Sequence, residues 1–291
     1  MQLSLLICAH DMERELPRTV ESLSPGRQRG VEAQDYELIV LDHGSARPVD
    51  EAALRRLAPN LRVIRVAPPT PVSPVAAINR AMATARAPYL GLMIDGARIA
   101  SPGLIATALL ALRADASRVV GSLGFHLGPD VQMNSVFAGY DQAVEDALLA
   151  SVPWQQDGYR LFDISVLAGS SAKGWLAPMA ESNALFLAAG LWHSLGGLDT
   201  RFASPGGGLA NLEFWARAVA ASADEPWVML GEGTFHQVHG GAATNSPAAA
   251  RGAMLEEYRQ IFGHRFQAPA YQSRLIGRLS PALLARHPGQ A

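Results

Sequence analysis

The segment that decides the fold is Tyr36-Glu37-Leu38-Ile39-Val40-Leu41-Asp42-His43-Gly44-Ser45. Its apolar run from Leu38 to Leu41 is what a strand covered on both faces of a parallel sheet requires, and it stops on a carboxylate followed by turn residues. Upstream, Leu3 to Ala9 is a second run of this kind. Between the two, Leu16, Val20 and Leu23 recur at helical spacing until Ser24-Pro25-Gly26 ends the pattern, so the unit reads β-α-β. Downstream the alternation continues with a short helix over 54–57, a strand over 62–66, a helix over 75–85 and a strand over 89–94 that stops on Asp95. This order predicts an α/β fold with a mainly parallel sheet flanked by helices. Ligands of such sheets sit outside the carboxyl ends of the strands, where Asp42 and Asp95 both fall.

Past residue 100 the pattern is less regular. A helix is expected over 105–113, then a strand at Val119-Val120-Gly121, then long loops from Phe125 to Gly174 of the kind that cover a site. Ala184 to Leu195 reads as a helix, Gly196-Gly197-Leu198-Asp199 as a turn, and 211–221 as a helix with Leu212, Trp215, Ala216 and Val219 on one face. Trp227 to Leu230 reads as a late strand. Ser246-Pro247 is a helix start, and that helix should stop at Gly263.

Composition narrows the class. With 49% apolar and 17% charged residues the chain is a folded globular protein, and 291 residues bury a core without staples. The single cysteine, Cys8, excludes an intrachain disulfide and any CxxC motif. A net charge of −2 is too balanced for a protein that binds nucleic acid by neutralising phosphates. The N-terminus lacks the basic start of a secretory signal, and the longest charge-free stretch, Ser182 to Leu198, carries Asn183 and His193 and is no membrane span. A cytoplasmic protein is expected. Charge is uneven, however: no acid follows Glu257, and Arg265, Arg274, Arg278 and Arg286 stand among Leu275, Ile276, Leu279, Leu283 and Leu284. That tail can dock on its own core or on a second subunit, as a homo-oligomer would use it, or lie at the inner face of an anionic membrane.

Four motifs in this order resemble the family 2 glycosyltransferases of GT-A fold. Leu3 to Asp11 with Leu16 to Leu23 is similar to the family's opening strand and helix, and Leu38 to Ser45 to its VVDDGS segment. Ala76-Ala77-Ile78-Asn79-Arg80-Ala81 through Asp95 is similar to the approach to its DxD motif. Asn183-Ala184-Leu185-Phe186, Leu195 to Phe202 and Leu212 to Arg217 resemble its acceptor half. The resemblance implies one GT-A-like domain over 1–245, with a nucleotide-binding half (1–100) and an acceptor half (101–245), followed by a helical extension over 246–291. It implies transfer of a sugar from a nucleoside-diphosphate sugar to a glycan or small hydroxylated acceptor, with inversion.

Such transfer needs a grip on the nucleoside, charge for the departing diphosphate and a base for the acceptor's proton. By family position, Asp42 and Asp95 serve the first need, although Asp42 also suits a plain turn cap. For the second, the DxD position reads Asp95-Gly96-Ala97-Arg98, so the usual second carboxylate for Mg²⁺ or Mn²⁺ is missing. Arg98 can supply the charge by gripping phosphate oxygens, which leaves metal use open. Of His236 and His239, an extended chain would turn only one toward the site, and His239 is the one expected there. The family's acidic pair at the start of the next helix is here Ala210-Asn211. Asn211 is no base but is a good N-cap, and Glu213 is the expected base, with an i, i+4 ion pair to Arg217 as its plain structural reading. Glu181 and Asp199 are further carboxylates on that side.

A nucleotidyltransferase would want a glycine-rich loop after the first strand, where Cys8-Ala9-His10-Asp11-Met12-Glu13-Arg14 has no glycine. Ser170-Ser171-Ala172-Lys173 has SxxK spacing but no accompanying KTG. The rival left standing is a catalytically silent GT-A-fold protein that binds a nucleotide sugar or glycan.

Overall fold

The computed structural model describes residues 1–240, 248–280 and 283. Its first half alternates as the sequence predicts: β1 (Leu3–Ala9), α1 (Glu15–Ser22), β2 (Tyr36–His43), α2 (Glu51–Leu57), β3 (Leu61–Val66), α3 (Val75–Met82) and β4 (Tyr89–Met93). There follow β5 (Arg98–Ala100), α4 (Leu104–Ala114) and β6 (Val120–Leu127). The covering segment contains α5 (Gln132–Ser135), α6 (Gln142–Ala150) and β7 (Ser165–Leu167). The chain continues with β8 (Leu185–Ala188), α7 (Ala189–Ser194), α8 (Ala210–Ala221), β9 (Trp227–His236), α9 (Ala248–Phe262) and β10 (Arg274–Gly277).

The strands form one sheet in the order β10-β9-β6-β8-β4-β1-β2-β3, with β5 added beside β9 and β7 beside β6. All seven residues of β1 are buried, because the strand is covered on both faces. Leu3, Leu5 and Ile7 pack into one core with Leu16, Val20 and Leu104, while Leu6 and Cys8 pack into the other with Ile78 and Leu92. That split follows from the two-residue period of a strand. Each such aliphatic side chain contributes about 1.5–3 kcal/mol by leaving water, so an acid at Leu5 or Leu6 would break the domain. At α2, Asp50 accepts a hydrogen bond from Ala53 N and starts the helix.

β8 runs antiparallel to β4 and β6, whereas β6 and β9 are parallel. The carboxyl ends of β1, β2, β4, β6 and β9 therefore meet at one edge, together with the start of β8. Several expectations change here. Ala184 to Leu195 is a strand followed by a short helix, because Leu185, Phe186 and Leu187 are buried between two neighbouring strands, and a short apolar run fits either state locally. The late strand reaches His236 instead of Leu230, and the segment 125–174 holds the helix α6.

Beyond residue 245 the expected extension is only partly helical. α9 ends at Gly263, whose φ of 77° is the left-handed stop a glycine permits, while the start signal at Ser246-Pro247 lies outside the described residues. β10 then pairs in parallel with β9 and adds a strand to the sheet. Ile276, Leu279 and Leu283 pack on the cores, so this part of the tail docks on its own domain; Leu284 and Arg286 lie outside the described residues. No described helix is long and apolar enough to cross a membrane.

Candidate functional site

At the carboxyl edge, the loop from Asp95 to Ala97 is pinned by its neighbours. Thr19 Oγ1 donates to Gly96 O at 2.6 Å, and Arg98 N and Gln237 N bond to Thr19 Oγ1 and Ala97 O. A side chain at Gly96 would meet Cys8 O at 2.9 Å, which explains the glycine inside the DxD position. Strand register then sets the site. Arg98 on β5 and His126 on β6 both lie opposite His236 on β9, and residues in register share a face.

Asp95 is the centre of the cluster. Its Oδ2 lies 2.8 Å from His236 Nε2 and 3.6 Å from Arg98 Nε, and its Oδ1 lies 3.6 Å from His239 Nε2. The two histidine Nε2 atoms are 3.2 Å apart. Both rings face Asp95, which corrects the expectation that only one would: β9 ends at His236, so strand alternation does not govern His239. Burial alone would raise the Asp95 pKa, but the two histidines hold it well below the usual carboxylate range. Burial lowers His236 to about 4 and, with His236 and Arg98 beside it, His126 to about 3. For His239 burial works downward, but Asp95 outweighs it and the pKa is raised. Asp95 is thus ionised and His236 neutral, while His239 holds a proton more readily than a free imidazole.

Gln132 fixes which nitrogen of His236 carries the proton. Its Nε2 donates to His236 O at 3.0 Å, so its Oε1 faces His236 Nδ1, which therefore donates. His236 Nε2 then presents a lone pair toward Asp95 and His239. A lone pair facing a carboxylate oxygen is repulsive unless a proton or cation lies between them. One carboxylate and two imidazoles within 4.8 Å, with a second-sphere amide holding one tautomer, fit a divalent ion. Imidazole donors suit Mn²⁺ better than Mg²⁺. Arg98 lies beside them, buried, with Nε and Nη1 lacking a hydrogen-bond partner among the described residues. Burial lowers its pKa against the pull of Asp95 and Glu181. Asp95 balances the Arg98 charge at 3.6 Å but leaves these two donors without a hydrogen bond, which is costly for a buried guanidinium and which a further anion would satisfy.

The structure brings Asp95, Arg98 and His239 together and adds His236, Gln132 and His126. Asp42 is separate. It is fully buried, and its oxygens accept from Ser45 N and Val49 N at 3.3 Å each. The loops after β1 and β2 are tied by Asp11 N to Ser45 Oγ and by Ala46 N to Asp11 Oδ1, with Asp11 at a positive φ of 50°. Cys8 beneath them is inert, since burial and then Asp95 and Asp42 push its thiol up to about 12.

On the acceptor side, Asn211 is not the N-cap: that position is Leu209, and Asn211 Nδ2 donates to Glu181 Oε2 at 2.9 Å and Ser182 O at 3.1 Å. Glu213 has both oxygens on Arg217, at 2.6 and 2.9 Å. Sequence reasoning ranked His236 below His239 and missed Gln132. The His-x-x-His spacing was a signal for the first, and nothing in the sequence marks the second.

The family model described as "Glycosyl transferase family 2" matches residues 4–164. Among solved structures, S. aureus TarS 1-349 superposes with a TM-score of 0.50 at 12% identity, covering 90% of this chain and 72% of that one. The same TarS fragment in complex with UDP-GlcNAc gives 0.51 at 12% identity, covering 89% and 67%. The chain covers 44% of the longer TarS structure. No curated protein matches the chain.

Proposed function

Because the chain belongs to glycosyl transferase family 2, we propose that it transfers the sugar of a nucleoside-diphosphate sugar to a hydroxyl of a glycan or small acceptor, with inversion at the anomeric carbon. The observation that carries this reading is the convergence of Asp95, His236 and His239 beside the Arg98 guanidinium, whose Nε and Nη1 have no hydrogen-bond partner among the described residues. Asp95, His236 and His239 would hold a divalent ion, with Mn²⁺ preferred. When bound, that ion supplies positive charge to the departing diphosphate.

Arg98 gives phosphate oxygens its Nε and Nη1 donors, which explains how a chain without the second DxD carboxylate can grip a diphosphate. Burial beneath the sheet edge strengthens that grip by excluding water. The nucleoside lies along the carboxyl ends of β1 and β2, where Asp42 holds the 43–49 loop in shape. UDP is the nucleotide to try first, as it is the one in the TarS complexes.

Calorimetry with UDP tests the reading. Binding should weaken on chelation with EDTA, recover with Mn²⁺, and weaken by about 10- to 100-fold in Arg98→Ala, the loss of a charge-assisted pair of hydrogen bonds. UDP binding that ignores EDTA would remove the metal from the proposal. The absence of binding by any nucleoside diphosphate would remove the function. The replacement of the aligned base by Asn211 favours, as a second reading, a silent nucleotide-sugar binder. It predicts tight binding without release of UDP from any donor.

A further inference from the structure

The site as described lacks a group to take the acceptor's proton. The base must offer a carboxylate oxygen free of other partners, open to solvent and at the same edge as the diphosphate grip. Most acceptor-half carboxylates are occupied. Glu213 has both oxygens on Arg217, Asp199 has both on Arg201, and Asp163 pairs with Arg160 at 2.7 Å.

Glu181 differs. It is half-exposed and stands just before β8, whose start lies at the carboxyl edge of the sheet. Its Oε2 takes the Asn211 amide at 2.9 Å, while its Oε1 accepts no hydrogen bond from a described residue. Asn211 is itself buried and anchored by a second bond to Ser182 O, so it holds Glu181 without competing for Oε1. Glu181 also lies within electrostatic reach of Arg98. A Cβ at Gly124 would sit 3.2 Å from Asn183 Nδ2 and 3.7 Å from Arg98 Nη1, so the glycine leaves room where the acceptor and phosphate sides approach each other.

We propose that Glu181 is the general base of the transfer and that Asn211, at the position where the family resemblance places an acid, is its positioning residue. This rests on the glycosyl-transfer reading above. In the step, the acceptor oxygen bonds to the anomeric carbon. The bond from that carbon to the diphosphate oxygen breaks, and its electron pair leaves with the nucleoside diphosphate. The acceptor proton passes to Glu181 Oε1. The carboxylate has thus moved from the helix start to the preceding strand entrance, while the helix keeps the amide that orients it.

The test uses the full chain with UDP-N-acetylglucosamine and water as the acceptor, and a crystal structure with the same donor. Glu181→Gln should lower kcat for UDP release by about 100-fold or more while leaving UDP affinity within about threefold. Asn211→Ala should keep affinity but displace the acid limb of the kcat profile, a change that a purely structural role would not produce; Glu181→Gln with Asn211→Asp should regain part of the rate. In the donor complex the Glu181 carboxyl should face the side of the anomeric carbon opposite the diphosphate. Glu181→Gln retaining wild-type kcat, or a bound donor whose anomeric carbon lies away from Glu181, overturns this assignment alone. The bound structure decides the matter even if water proves too poor an acceptor. If no nucleoside diphosphate, UDP included, binds the wild type, the glycosyl-transfer reading fails and this assignment with it.

Discussion

Asp42 and Asp95 end neighbouring stretches of one sheet edge, yet their surroundings are opposite. Asp42 has no exposure and spends both oxygens on backbone N–H groups of its own turn. Asp95 accepts one backbone N–H, from Ala97, and otherwise faces three cationic or ionisable side chains. A carboxylate satisfied by backbone shapes a loop, because its partners cannot leave without unfolding the turn. One surrounded by side chains can exchange partners for a ligand. Residue type and topological position are the same in the two cases, and the donors decide the role.

Asp95→Asn should give the largest effect. It removes the carboxylate that faces His236, His239 and the buried Arg98, and breaking a buried pair typically costs about 3–5 kcal/mol. Sugar transfer should fall by about 1000-fold or more, with a lower Tm in thermal unfolding and no rescue by added Mn²⁺. An Asp95→Asn variant with near-normal turnover would break the contrast outright.

The second prediction concerns what supports each carboxylate. His239 follows Val238, whose N–H is held by the fully buried Glu145 at 2.8 Å, while Arg14 reaches the other oxygen at 3.2 Å. Burial outweighs these partners and raises the Glu145 pKa from 4.5 to about 7. A carboxyl with a raised folded pKa stabilises the fold fully below its unfolded pKa, and that contribution is lost as pH rises toward the folded value. Stability should therefore decline between about pH 4.5 and about pH 7, by about 3 kcal/mol from this group. Glu145→Gln cannot ionise, so it should flatten the decline in urea midpoints measured across that range. An unchanged slope would mean that the His239 side does not depend on Glu145 ionisation.

The sequence placed both carboxylates at the sheet edge without telling them apart, and the limits of what was legible are physical. The first half was readable because β1, β2 and β4 are buried along almost their whole length and α1 and α3 each bury one apolar stripe, so local pattern and final environment agree. β8 was not, since Ala184 to Ala188 carries no periodicity and became a strand only through its neighbours β4 and β6. Asp95, Arg98 and His239 could be named from their places in the motif order. His236 was discounted because an extended chain would send an i, i+3 pair to opposite faces, whereas the strand ends at His236 and both rings meet Asp95. Gln132 could not be named at all, and Glu181 only as one of several carboxylates behind Glu213, because what sets them apart is bonds to His236 and Asn211, 104 and 30 residues away.

Gln132 offers the third prediction. Second-sphere partners that fix a histidine tautomer typically carry 10- to 100-fold of metal affinity. Gln132→Ala should weaken Mn²⁺ binding by about that factor in calorimetry while leaving UDP binding in EDTA unchanged. Equal loss in both would make Gln132 a general support of β9 and not a tuner of His236.

The smallest effect is expected at Asp42. Asp42→Asn keeps one carbonyl oxygen for the turn but sets an amide against the other backbone N–H, so a buried acceptor is lost and no charge pair is broken. Stability should drop by about 1 kcal/mol, the usual scale for one hydrogen bond in a fold. Turnover should stay within about threefold once the protein is folded, and UDP affinity likewise. A large loss of UDP affinity at unchanged Tm would mean that the turn opens on binding and hands Asp42 to the nucleoside. Asp42 would then belong with Asp95 among the residues that exchange partners, and the difference between the two strand ends would be one of occupancy and not of role.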